Sequence, residues 1–219
     1  MYVTYDDFND NSFDTAKWEH TRVTGVELYE RNQRLEFVWT GEREFWVADA
    51  VISTKVFELN AGKEYEIGVT VVACGMSASL VALVNNNYYV IGITSEGALF
   101  VDVVIDGTGY PLKSINVGKT SGKLAIGVTD SEVYFKFDEN EVYRETYRLP
   151  SRSVNMMLSC AVSEENPLAA FDDAYFAVPE QAVQPEQAVV QQHVQTLINL
   201  LLLFMMLMIL TSLIRTLIE

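Results

Sequence analysis

The chain has 219 residues, 49% of them hydrophobic and 21% charged, which is enough apolar material to bury a core and excludes a disordered polypeptide. Thirty acidic residues against fifteen basic ones leave a formal charge of -15, so no basic face remains to neutralise phosphates and nucleic acid is not an expected partner. Cys74 and Cys160 are the only cysteines and there are two histidines, which excludes a disulfide scaffold and a cysteine- or histidine-based metal centre; spacing does not decide whether the two thiols pair.

The start, Met1-Tyr-Val-Thr-Tyr-Asp-Asp-Phe8, has neither a basic n-region nor an apolar h-region, and reads as a chain without an export signal. Short β-branched and aromatic runs then follow at Arg34–Trp39, Glu64–Val72, Tyr88–Thr94, Leu99–Ile105, Lys123–Thr129 and Val133–Phe137, each predicting a strand. Between them stand turn-forming groups, among them Asn85-Asn-Asn87, Asp106-Gly-Thr-Gly109 and Asp138-Glu-Asn140. No stretch before Pro179 carries a helical period. Short strands without intervening helices predict an all-β fold over residues 1–178, an antiparallel jelly-roll β-sandwich with about six strands in each sheet.

Residues 179–193 repeat Pro-Glu-Gln-Ala-Val from Pro179 and Pro185 and read as an extended spacer becoming helical. Residues 194–219 follow, and the chain carries no formal charge from Gln187 to Ile214, taking His193 as neutral. A helix from Leu197 to Ile218 would reach about 33 Å, the thickness of a bilayer's hydrocarbon, so a C-terminal transmembrane helix and a lipid bilayer partner are expected. Val190, Val194, Leu197, Leu201, Phe204 and Met208 recur at steps of four and three. They form either a helix-packing seam for a homo-oligomer or the chance match of any leucine-rich span. Arg215 alone would place the C-terminus in the cytoplasm, whereas a tail anchor without export signal would place the large domain there.

Tyr5-Asp-Asp-Phe-Asn-Asp-Asn-Ser-Phe-Asp-Thr-Ala-Lys-Trp18, followed by Glu30-Arg-Asn-Gln-Arg-Leu-Glu-Phe37, resembles the opening of concanavalin A-like, laminin-G-type jelly-roll domains. Ala170-Phe-Asp-Asp-Ala-Tyr-Phe-Ala177 resembles their last strand, which pairs beside the first. The resemblance implies the fold. It does not choose among the lectins, glycosidases, adhesins and virion proteins that share it.

A glycosidase of this group would need facing carboxylates, commonly spaced Glu-x-Asp-x-x-Glu on one strand, and that spacing is absent. The acidic run Asp138-Glu-Asn-Glu141 reads as a solvated hairpin tip, and neither histidine lies near a nucleophile elbow. With terminal strands paired, Asp6, Asp7, Asp10, Asn11, Asp172 and Asp173 would converge. They would either hold a structural calcium ion, of the kind carbohydrate-binding jelly rolls often carry, or cap turns and keep a sheet edge soluble; no other cofactor is expected. Trp18 and Trp39 read as core, and Tyr110 as an exposed ring able to stack on a sugar. With no catalytic constellation in view, the expectation is a non-enzymatic structural protein of a virion with an internal membrane, in contact with other structural proteins. The alternative is a cell-surface, lectin-like or adhesive glycan-binding protein, and the third reading is a membrane-tethered glycoside hydrolase.

Overall fold

The computed structural model describes residues 2–41, 45–58 and 65–177, and every regular element in them is a β-strand. In chain order these are β1 (Tyr2–Asp6), β2 (Trp18–His20), β3 (Val26–Arg31), β4 (Arg34–Trp39), β5 (Val47–Glu58), β6 (Tyr65–Cys74), β7 (Ser77–Val84) and β8 (Asn87–Thr94). They continue as β9 (Ala98–Ile105), β10 (Thr108–Asn116), β11 (Gly122–Val128), β12 (Glu132–Phe137), β13 (Asn140–Thr146), β14 (Ser153–Val162) and β15 (Leu168–Ala177). The spacer, the expected span and the six seam positions from Val190 to Met208 lie outside the described residues. Among the described residues no helix is long and apolar enough to cross a membrane.

The strands form two antiparallel sheets. One runs β13-β12-β11-β6-β15-β4-β3, with β1 added along β15, and the other runs β10-β9-β8-β7-β14-β5-β2. The expected pairing of the terminal strands is present: Tyr2 stands opposite Ala177 and Val3 opposite Phe176. β4 takes residues Leu168 to Phe171 of β15 and β1 takes Ala174 to Ala177, so the two strands share one edge end to end. Asp172 and Asp173 fall at the break between them, where Asp173 adopts a φ of 48° and the register with β6 shifts.

Alternation decides which face is core. In β14, Val154, Met156, Leu158, Cys160 and Val162 are buried against the other sheet while Asn155, Met157 and Ser159 face away. Phe37, Phe135 and Phe171 meet Phe57, Tyr89 and Trp18 in the space between the sheets. Cys74 and Cys160 are both buried and both free, and burial pushes each thiol up from its usual value, away from the reactive thiolate.

The hairpins close as their sequences require. Asp106 and Gly107 both have positive φ, as do Asn32 with Gln33 and Asp138 with Glu139, the handedness that matches strand twist.

On the outer face of the eight-stranded sheet the Glu66 carboxylate, 3% exposed, accepts hydrogen bonds from Tyr175 Oη (2.9 Å), Tyr134 Oη (3.4 Å) and Lys136 Nζ (2.6 Å). Burial works against the Lys136 charge, yet the bond to Glu66 and its negative charge together outweigh that and raise the Lys136 pKa. Glu36 repeats the device. Arg31 Nε and Arg34 Nε donate to it at 2.6 and 2.7 Å, and with Asn32 they hold its carboxyl below the usual range despite burial.

Candidate functional site

The acidic residues of the chain's two ends divide into separate jobs. Asp6, 5% exposed, accepts from Trp18 Nε1 (2.8 Å) and Phe8 N (3.2 Å) and lies 3.3 Å from Lys17 Nζ. Asp10 caps the Ser12 amide at 3.0 Å and shares a hydrogen bond with Glu30, while Asn11 turns the chain with a φ of 58°. Asp172 accepts from the Asp173 amide at 2.8 Å; burial raises its carboxyl first, and the negative charges of Asp173 and Asp7 add to that. These contacts are turn caps and local pairs. Among the described residues no group of three or more His, Cys, Asp or Glu side chains is arranged to hold a metal ion.

The Asp10–Glu30 pair holds one proton between two carboxyls. Burial, then the hydrogen bond to Asp10 and its charge, push Glu30 up to about 7 from its ordinary 4.5. The same bond and the Ser12 amide hold Asp10 below its usual value. A raised folded-state pKa means that the Glu30 contribution to stability is complete below pH 4.5 and is lost as pH rises through about 7. The melting temperature is therefore expected to fall across that window, and Glu30→Gln, which fixes the neutral form, to flatten the slope; an unchanged slope in the variant contradicts the assignment.

A different face carries the groups suited to a ligand. Along β9, Leu99, Val101 and Val103 enter the core, which turns Phe100, Asp102 and Val104 to the outer surface of the seven-stranded sheet. Register sets Phe100 beside Gly92, Asp102 beside Val90 and Val104 beside Tyr88 on β8. The next strands continue these rows through Ser79 and Val81 on β7 to Ser159 and Met157 on β14. Phe100 lies across Gly92, because a Cβ there would stand 2.3 Å from Phe100 Cζ. The ring is thus laid along the sheet, and it is half-buried.

Asp102 is the one charged residue in β7, β8, β9 and β14. Its carboxylate makes no hydrogen bond and no ion pair with the described residues, and burial alone raises its pKa. A half-buried carboxylate between an aromatic ring and aliphatic side chains is an acceptor in want of a donor.

Tyr110 is 47% exposed, but it pairs with Val103 on the edge strand β10, on the side turned toward the other sheet and not with Phe100. Trp18 is buried, Trp39 packs against the core, and Trp46 is 59% exposed. At the end of the sandwich, Cys74, Ser95, Thr120, Glu165, Asn166 and Pro167 line an open depression of about 420 Å³. His20 Nε2 meets the buried Asp49 carboxylate at 2.6 Å, and Thr21 Oγ1 donates to the same group, which fastens β2 to β5. Sequence reading missed Phe100 and Asp102. The signal for Asp102 was present, as a lone acid interrupting Leu99-Phe-Val-Asp-Val-Val-Ile105 at an outward position.

No family model matches the chain, and no curated protein matches it. Solved structures do. A Bacillus licheniformis beta-glucanase is similar at 12% identity and a TM-score of 0.59, covering 83% of this chain and 98% of that one. An endo-acting O-glycanase of the human gut microbiota matches at 15% identity and a TM-score of 0.61, covering 82% and 99%. A carbohydrate-binding module, CBM66 from Bacillus subtilis, matches at 11% identity and a TM-score of 0.51, covering 73% and 94%.

The protein therefore has an all-β sandwich fold of two antiparallel sheets, shared with this beta-glucanase, this O-glycanase and this carbohydrate-binding module. This corrects the sequence reading in two respects. The proteins that share the fold here act on or bind carbohydrate, which overturns the virion structural role. Two of the three are glycan-cleaving enzymes, which also overturns the expectation of a non-enzyme. The earlier inference rested on a missing acid spacing and an apolar tail, and neither speaks to what the sheet surface binds.

Proposed function

We propose that the chain is a carbohydrate-active β-sandwich that takes a glycan on the outer face of its seven-stranded sheet, with Phe100 stacking on a sugar ring and Asp102 accepting from its hydroxyls. The observation that carries this is the Phe100 ring laid over Gly92 beside an acceptor with no partner among the described residues. Flat aromatic faces suit the apolar faces of pyranose rings, and a carboxylate fixes their orientation. The uncharged run from Gln187 to Ile214 supports the further reading that this domain is tethered to a membrane, as the lectin-like alternative requires.

A panel of oligosaccharides tests the reading. Saturable binding is expected in the wild type and a loss of about tenfold in Phe100→Ala, the size of one stacking contact. Binding of none of them, or equal binding by the variant, overturns it. The glycan-cleaving enzymes among the similar structures favour hydrolysis as a second reading. Release of reducing ends by the wild type, cut by about a hundredfold or more in Asp102→Asn, supports that activity; binding without release supports a module.

A further inference from the structure

Resting on the glycan-binding reading, we infer that the glycan is an amino-sugar chain, recognised through a protonated amine that donates to Asp102. Charge is sparse on the strands around Asp102. β7, β8, β9 and β14 hold no lysine or arginine. Lys113 lies on the neighbouring edge strand, opposite core-facing Val101, on the other side of the ribbon from Asp102. On the opposite sheet, Lys123 pairs with Glu139, Lys136 with Glu66, and Arg144 with Glu132 and Glu141.

Asp102 therefore meets no cation on β7, β8, β9 or β14, and its neighbours are Phe100 and Val104 along β9, Val90 on β8 and Pro111 on β10. Sugar hydroxyls return part of the cost of holding that carboxylate out of water. An ammonium returns more, because it adds the attraction of opposite charges to the hydrogen bond that a neutral hydroxyl also offers the carboxylate. Phe100 adds to this, since the face of an aromatic ring attracts a cation. Uronate, sulfated and sialylated chains are opposed both by Asp102 and by the formal charge of -15.

The test uses three probes on the full-length chain: a glucosamine hexamer, its N-acetylated counterpart and a galacturonate hexamer. The glucosamine hexamer is expected to bind about tenfold tighter than its acetylated form at low salt, a gap of one charge-assisted contact. Asp102→Asn should erase that gap, so that the two hexamers bind the variant equally. Glu139→Gln, which removes one negative charge elsewhere, should preserve the gap and so separates the site from general attraction to an acidic protein. Equal binding of the two hexamers, tighter binding of galacturonate, or a gap that survives Asp102→Asn overturns the inference. A neutral glucan bound as well as the glucosamine hexamer removes the amino-sugar assignment and leaves glycan binding standing, whereas failure of every saccharide removes both.

Discussion

Alanine in place of Trp18 is expected to lower the free energy of unfolding by about 3–5 kcal/mol, the cost of emptying a large aromatic from a closed core. The side chain is 1% exposed, and its ring packs against Tyr5 (5.1 Å) and Phe8 (5.9 Å). Its indole donates to Asp6, which in turn holds the Phe8 amide. One residue therefore joins β1, the turn that follows it and β2, which lies in the other sheet, so its removal loosens the closure between sheets. Trp18→Phe keeps most of the volume and leaves Asp6 a donor short, at a cost of about 1–3 kcal/mol. Urea denaturation measures both. A loss below about 1 kcal/mol in the alanine variant would mean that Trp18 does not join the sheets.

Gly68→Ala is the second large effect. A Cβ at Gly68 would lie 2.1 Å from Tyr175 Cζ, so the ring must lift from the sheet. That movement also withdraws the Tyr175 hydroxyl from the buried Glu66 carboxylate. Overpacking costs about 1–3 kcal/mol, and a lost hydrogen bond to a charged group about 1.5–3 more. The expected sum is several kcal/mol. Tyr175→Ala removes the obstacle, so the double variant should cost little more than Tyr175→Ala alone; additive losses would show that the ring does not occupy the space over Gly68. Gly127 stands in the same relation to Tyr134, with a Cβ–Cζ distance of 2.0 Å.

How far these features were legible in the sequence depended on how local they are. Arg34–Trp39 was read as a strand and is β4, and Tyr88–Thr94 and Leu99–Ile105 fall inside β8 and β9, because β-branched and aromatic residues mark them directly. β14 was passed over. Its inward positions are Val154, Met156, Leu158, Cys160 and Val162, and methionine, leucine and cysteine carry little strand preference even when the alternation is complete. β7 was missed for a related reason, since Ser77-Ala-Ser79 is small and polar at its start and takes its place from pairing on both sides. The pairing of the chain's ends was foreseen, and it sets the terminal aspartates near one another along the sheet. There they take part in a β-bulge and three turn caps.

The Phe100–Gly92 contact joins residues of neighbouring strands whose partnership follows only from register. No local pattern reveals it, although Asp102 stood out as a charge in an apolar strand. The choice of a virion role came from adding an apolar tail to a fold that serves many purposes, and the fold alone never carried that choice.

Calorimetric titration of the full-length wild type and Phe100→Ala with one oligosaccharide taken from the panel tests the glycan face most directly. The account predicts a saturable heat in the wild type, about tenfold weaker binding in the variant, and the same melting temperature for both unliganded proteins. Indistinguishable affinities in two equally stable proteins would place the ligand elsewhere and contradict it.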